Sequence, residues 1–555
     1  MTSSHLRFSD TRWRILALLV FAGFVAYVLR TNLSIAGERM IGDLGLANVQ
    51  LGAILAAFVS PTIVIASLML LRFLIGVLQA PLVVFGATAT RPLIYHVMVA
   101  TALVLGLANG AVAQDTRTPR TAARRIDSVR VPPLDHRIDV VTPMAPELAT
   151  FGPYPIGVRT ITVTDRNRRD VLRMTAADTT ARYARSLTLE VWYPAAAGSL
   201  ARAGEYRVIM RDPSVTISLF GQAQRDATPR DGDAPFPLLI ISHGYPGNRY
   251  LLSHLGENLA SKGYVVVSID HTESTYDNAQ AFASTLYNRP LDQLFVLQSI
   301  AELGAPTSRS FLAGRVDASR SGLIGYSMGG YGVVNTIGGG FRTAAAKLPG
   351  APPNNLLLER SADNPTYQRG GGDARIKAAV AIGPWGMQAG FWDAAGLAGI
   401  RTPTLFVAGS ADDVSGYENG TRALFRGAVN AERYLLTFLG AGHNAGAPIP
   451  APPESYAYSQ TLKSFPFTHY ADPMWDTRRM NNIMAHFITA HFDAQLKGDS
   501  SKLAYLQVVP NGKDGVYAID RDGKPLAPHS YWKGFKRGTA SGLVLERERA
   551  AERQP

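Results

Sequence analysis

Three side chains far apart in the chain have the types that nucleophilic acyl transfer requires. Ser327 lies in "GLIGYSMGGYG" (322–332), Asp412 or its neighbour Asp413 in "LFVAGSADDVSGY", and His443 in "LLTFLGAGHNAG". A serine hydroxyl is a poor nucleophile near neutral pH; it needs a base, and the imidazole that serves as base needs a carboxylate to orient it. Each of the three follows a short apolar run. Ser327 stands where "SGLIG" ends and a helix-like stretch begins, which forces it into a tight strand-to-helix turn. Gly325 and Gly329 flank it because a Cβ would clash in so sharp a bend. The turn exposes the hydroxyl at a helix N-terminus, whose dipole favours developing negative charge.

Acyl transfer also needs backbone N–H donors for a tetrahedral oxyanion. Met328, directly after the serine, is expected to supply one, and Tyr245, in the loop after "LLIISHG", the other. His243 in that loop is expected to brace it. His271, in "SIDHTES", ends a strand on the same side and is a candidate substrate contact, with a structural role as the competing reading. Trp385 in "AIGPWGMQ" is readable from its position as a core aromatic at a strand end. His486 and His491 lack the HExxH spacing, so no metal is assigned. The "GGG" runs at 338–340 and 370–372 do not follow strands in the dinucleotide-binding manner, so no cofactor is assigned either. With no cysteine in the chain, disulfides, thiolate metal sites and cysteine nucleophiles are excluded.

These residues need a frame that brings distant strand ends together. "RTITVTD" (159–165) and "SLTLEVWYP" (186–194) alternate as half-buried strands do. "FPLLIISHG" (236–244), "YVVVSID" (264–270), "SGLIG", "IKAAVAI" (376–382), "PTLFVAG" (403–409) and "RYLLTFL" (433–439) are largely apolar, as strands buried on both faces of a parallel sheet are. Helices are expected between them: 250–263 with Gly263 as its stop, "LDQLFVLQSIAELG", "SMGGYGVVNTIG", and a closing amphipathic helix at 480–498. This alternation predicts a doubly wound, mostly parallel α/β sheet, in which ligands bind at the strand C-termini. Two polar inserts, 199–235 and 348–373, are expected as surface loops or a lid.

The body follows a different kind of sequence. Of the 555 residues, 46% are hydrophobic and 18% charged, and the apolar excess is concentrated in residues 1–113. "WRILALLVFAGFVAYVL" (13–29), the stretch 51–89 and "LIYHVMVATALVLGLANGAVAQ" (93–114) are long and apolar enough for transmembrane or signal-like helices. Arg7, Arg12 and Arg14 favour a cytoplasmic N-terminus. Ala111-Val112-Ala113 has the small residues a signal peptidase cuts after. The expected organisation is a hydrophobic head at 1–113, an Arg-rich linker at 114–150, a catalytic domain at 151–500 and a C-terminal extension at 501–555. The body is then anchored at the membrane through the head, or secreted to the periplasmic or extracellular side. The formal charge of +12 comes from scattered arginines without zinc-finger or RNA-binding signatures, which argues against a nucleic-acid partner.

Resemblances sharpen these expectations. "PLLIISHGYPGNRYLLSHLGENLASKGYVVVSIDHTES", "GYSMGG", "GSADDV", "GAGHNAG" and "FITAHFDAQLKGD" together resemble α/β-hydrolases of the platelet-activating-factor acetylhydrolase and dienelactone hydrolase type, over about residues 150–500. The resemblance implies the α/β-hydrolase fold with the catalytic order Ser, Asp, His. It also implies Asp412, three residues after Gly409, as the orienting carboxylate, with Asp413 left to solvent. The implied activity is cleavage of short-acyl esters of small-molecule or lipid-like substrates. "AIGPWGMQ", with "GYSMGG" and "HGY", is similar to bacterial cutinases and polyester hydrolases, where a tryptophan placed like Trp385 lines a subsite; this is the alternative substrate class. "YVLRTNLSIAGERMIGDLGLANVQLGAILAAF" and "LRFLIGVLQAP" resemble major facilitator transporters over about residues 17–90. The Asp-Arg-Gly loop and most of the spans are missing, so this part reads as a remnant serving as an anchor, since transport needs two helical halves. A thioesterase, a peptidase and a catalytically dead binding module are the remaining readings.

Overall fold

Eight of the runs read as strands pair side by side, which satisfies their backbone N–H and C=O groups, and their apolar faces are covered by neighbouring layers. The computed structural model describes residues 132–198, 204–232, 234–279, 282–370 and 372–551. The chain divides into two units, Met1–Asp127 and Ser128–Pro555, and the described residues lie in the second. The spans, transporter-like fragment and cleavage site expected of the head fall outside them. Among the described residues, no helix is long and apolar enough to cross a membrane.

The strands are β1 (Ile156–Arg169), β2 (Arg182–Pro194), β3 (Glu205–Ile209), β4 (Thr216–Phe220), β5 (Gln224–Arg225), β6 (Phe236–Ser242), β7 (Val265–Asp270), β8 (Val316–Tyr326), β9 (Ile376–Ile382), β10 (Thr404–Gly409), β11 (Arg433–Phe438) and β12 (Leu543–Glu548). Ten form one sheet in the order β12-β11-β10-β9-β8-β6-β7-β2-β1-β5. From β7 to β11 neighbouring strands are parallel. Every residue of β6, β10 and β11 is buried, as expected of strands covered on both faces. The chain leaves β6 for β7 on one side and returns to β8 on the other. The C-terminal ends of β6 and β8 therefore adjoin at a switch point, with Ser242 opposite Gly325.

The helices are α1 (Ser253–Ala260), α2 (Phe282–Gly304), α3 (Met328–Thr336), α4 (Pro365–Gly370), α5 (Ala394–Leu397), α6 (Arg422–Gly427) and α7 (Thr477–Leu496). One face of the sheet packs Leu255 and Leu259 of α1 with Phe487 and Ile488 of α7. The other packs Val296 and Ile300 of α2 with Val333 and Val334 of α3. Gly263, at φ +87°, closes the turn after α1 as expected. Helix α2 begins nine residues before the expected start and runs through Pro290. Proline has no N–H for the carbonyl four residues back, Leu286. The hydroxyl of Tyr331 donates to that oxygen instead, at 3.1 Å, and so ties α2 to α3 one turn beyond the serine.

Three expectations change. The insert 199–235 carries an antiparallel hairpin, β3–β4, and not a loop alone. Its alternating residues bury Tyr206, Val208, Ile217 and Leu219 in the core. Tyr206 accepts from Trp192 Nε1 at 2.9 Å and donates to Glu257 at 2.5 Å. Glu257 also accepts the amides of Gln222 and Ala223, and burial pushes its carboxyl up to about 7. The insert 348–373 lies beside α2 and α3, held by Tyr287 donating to Glu359 at 3.0 Å and by Tyr367 donating to Asn335 O at 2.5 Å. The stretch beyond residue 500 adds edge strand β12, antiparallel to β11, and buries Trp532, Phe535 and Leu543 in the core.

Candidate active site

Ser327 sits at φ 52° and ψ −114°, a strained conformation between β8 and α3. Its amide donates to Ile382 O at 2.9 Å, which locks the turn to β9. The flanking glycines are steric necessities. A Cβ at 325 would lie 2.3 Å from Gly329 O, and one at 329 would lie 1.9 Å from Ser242 O. The serine is left 8% exposed at the switch point.

His443, in the loop after β11, accepts from Ser327 Oγ through Nε2 at 2.9 Å. Its Nδ1 donates to the two carboxylate oxygens of Asp412 at 3.1 and 3.0 Å. Asp412 is buried, and its Oδ1 also accepts the amides of Val414 at 2.9 Å and Ser415 at 2.8 Å. Burial pushes this carboxyl up, but the His443 contact and the two amides outweigh it and hold it below its ordinary value. Asp413 is exposed at the cleft edge. The structure thus brings together the three side chains singled out in the sequence, in an order fit for proton transfer from serine to imidazole.

Around them is an open cleft of about 620 Å³ whose lining includes Arg211, Tyr245, Ser327, His443, Phe465 and Phe467. Met328 opens α3 directly after the serine, and Tyr245 lines the cleft beside it. Gly244 is close enough that a Cβ there would lie 3.3 Å from Ser327 Cβ. The loop carrying Tyr245 is held from beneath. His243 donates through Nδ1 to Gly244 O at 2.7 Å and accepts the His271 amide through Nε2 at 3.2 Å. The buried Arg289 of α2 donates to His243 O at 2.6 Å, to Gly244 O at 3.3 Å and to Ser274 Oγ. Burial brings this guanidinium down to about 9, against the opposing pull of Asp292.

Trp385 donates its amide to Ser327 O at 3.1 Å. Its half-buried ring meets Phe282 edge-on at 5.3 Å, and Phe282 meets Tyr245 at 5.2 Å, so an aromatic row runs past the serine. His271 departs from the expected substrate contact. It is 1% exposed, accepts from Ser242 Oγ at 2.8 Å and donates to Asp292 at 3.0 Å. Asp292, on α2, also takes Arg168 and Arg185 and draws the imidazole beneath β6, away from the cleft. His486 accepts the Leu148 amide at 3.1 Å, and His491 packs on Tyr434.

The far wall of the cleft comes from 462–473, before α7, and not from the insert at 348–373. It is fastened to the His443 loop. Asn444 accepts from Tyr326 OH at 2.8 Å and donates to Thr468 O and Ala471 O, both at 2.8 Å. Asp472 accepts the Gly442 amide at 2.7 Å. Tyr458 packs on Phe465, and Tyr456 on Phe467, leaving aromatic surface at the mouth. Sequence reading missed this wall, along with Arg289 and Arg211.

Residues 192–368 match the protein-family model described as PETase, PET hydrolase-like. A bis(hydroxyethyl) terephthalate hydrolase of Streptomyces coelicolor is 24% identical over 41% of this chain and 57% of its own length. Cutinase est2 of Thermobifida alba is 27% identical over 39% of this chain and 55% of its own. The chain thus spans about half the length of these curated relatives. Among solved structures, a ferulic acid esterase from Streptomyces cinnamoneus aligns at a TM-score of 0.41 with 21% identity, covering 64% of this chain and 94% of that one.

Proposed function

We propose that the unit Ser128–Pro555 is a carboxylic ester hydrolase working through an acyl-enzyme on Ser327. The observation that carries this is the continuous hydrogen-bond chain Ser327–His443–Asp412 on a strained turn. His443 takes the serine proton as Ser327 Oγ attacks the ester carbonyl. The amides of Met328 and Tyr245 receive the oxyanion, and the imidazolium protonates the departing alkoxide. Water activated by His443 then frees the acid. Asp412 keeps the imidazole in the useful tautomer and stabilises its charged form.

Of the two substrate classes raised by the sequence, polyester or cutin-like esters are favoured over short-acyl, acetylhydrolase-type ones. The supports are the PET hydrolase-like match over 192–368, the cutinase relatives, the ring row Trp385–Phe282–Tyr245 that reaches the cleft at Tyr245, and Phe465 and Phe467 in the cleft wall. Delivery to the envelope or the outside, through the apolar head, belongs to the same proposal. The test is a fluorophosphonate probe together with a p-nitrophenyl ester chain-length series run beside a polyester film. Adduct formation that S327A abolishes, with release of soluble acid from the film, is the expected result. An unlabelled, inactive wild-type protein refutes the esterase reading.

A further inference from the structure

Resting on the esterase reading, we propose that Arg211 is an anion-binding subsite of the cleft, selecting esters that carry a carboxylate or phosphate group on their acyl portion. Arg211 lies just beyond β3, at the tip of the hairpin, and lines the same cleft as Ser327 and His443. It is half-buried, and among the described residues its guanidinium forms no ion pair with a carboxylate. Arg168, Arg185, Arg225 and Arg249, by contrast, each hold a carboxylate.

The carboxylates of Asp212 and Asp472 accept hydrogen bonds from other groups. Asp212, next in the chain, accepts the Ser214 amide at 3.0 Å and the Ser214 hydroxyl at 2.7 Å. Asp472, on the cleft wall, accepts the amides of Gly442, Met474 and Trp475. Asp413, at the cleft edge, is exposed. The backbone that presents Arg211 is fixed. Its amide donates to Tyr470 OH at 2.8 Å, and Asn248 Nδ2 clamps Ile209 O at 2.8 Å. Its charge reaches the site's own groups: burial, followed by Arg211 and His443, brings His469 down to about 3, so this imidazole does not compete as a second cation. The planar fork of a guanidinium held in the cleft without a counter-ion can donate in parallel to two oxygens of a carboxylate or a phosphate.

The test uses the full chain and three matched substrates: 4-nitrophenyl hexanoate, the 4-nitrophenyl half ester of adipic acid, and 4-nitrophenyl 5-phosphonopentanoate. Wild-type kcat/KM should favour an acid-ended ester over hexanoate by about tenfold at low salt, the size of one charge-assisted hydrogen bond. The gain should appear mainly in KM and shrink as salt is added. R211Q should bring the acid-to-neutral ratio to about one, and R211K should retain part of it. Preference for the adipate or for the phosphonate identifies which anion is the source. A wild-type ratio near one, or a ratio that R211Q and R211K both leave unchanged, overturns the proposal while leaving the esterase intact. Hydrolysis of none of the three, with no fluorophosphonate adduct, overturns both.

Discussion

Gly409 lies so close beneath Ala441 that a Cβ at 409 would stand 2.2 Å from the Ala441 carbonyl oxygen and 2.3 Å from that of Gly442. The loop that carries His443 therefore crosses directly over the end of β10, three residues before Asp412. The contact sets the height at which the imidazole meets its carboxylate. G409A is expected to lift the crossing. Urea unfolding should show about 1–3 kcal/mol of lost stability. The kcat of the surviving folded enzyme should fall as well, because the His443–Asp412 bond is stretched; an unchanged kcat would count against this geometry.

Asp412 and Asp413 are adjacent in the chain but differ in setting, one buried against His443 and the other exposed. D412N should lower kcat by about 10⁴-fold, because an amide stabilises the wrong imidazole tautomer. D413N should change kcat by less than about threefold. Stopped-assay kinetics on a p-nitrophenyl ester separate the two directly, and equal losses would remove the assignment.

Arg289 acts through the Tyr245 loop and is a positioning residue. R289M removes the donors to His243 O and Gly244 O. The expected result is a fall of about 10–100-fold in kcat with little change in KM, because the amide facing the oxyanion is displaced while the cleft wall stays in place. R289K should recover part of the loss. A rise in KM at constant kcat would assign Arg289 to substrate binding instead.

Asn444 joins the His443 loop to the cleft wall through two donated bonds and to the end of β8 through one accepted from Tyr326. N444A should cost about 0.5–1.5 kcal/mol in thermal unfolding, the net range for a lost hydrogen bond at a half-buried site. KM should rise more steeply for long-chain esters than for acetate, because the wall at 462–473 loosens. Equal KM values across the chain-length series would mean the wall does not touch substrate.

Glu257 gives the fold a pH dependence. Its carboxyl is raised to about 7 in the folded chain, primarily by burial. A group raised on folding holds its proton more tightly folded than unfolded. Its stabilising contribution is therefore complete below about 4.5 and is lost as pH rises through about 7. The full swing is at most about 3 kcal/mol. E257Q should flatten the Tm-against-pH curve between those values and make the protein more stable than wild type at pH 8. A variant curve parallel to the wild type would rule this out.

Ser327 and Asp412 were legible because each is tied to close-packed backbone that permits little besides glycine: 325 and 329 around Ser327, and 409 before Asp412. The buried strands were legible for a related reason, since strands covered on both faces are apolar throughout. What stayed hidden depends on partners far away in the chain. His271 ends a strand on the correct edge, yet Asp292 on α2 turns it inward, and nothing local signals that. Arg289 lies in a helix interrupted by Pro290, which reads as a boundary until Tyr331 is seen to replace the missing donor. The β3–β4 hairpin did leave a trace. "EYRVI" and "TISLF" alternate around Asp212-Pro213-Ser214, but their polar positions dominate the surrounding insert, and with the hairpin went Arg211.

Strand β12 covers the outer rim of β11, whose residues are all buried and mostly apolar. A chain shortened to the domain suggested by sequence, ending near residue 500, would leave that rim's amides and carbonyls unpaired, a ready template for strands of neighbouring molecules. Its expected fate is precipitation or intermolecular sheet formation, even though every catalytic group is present. The last strand therefore serves core packing and solubility rather than chemistry.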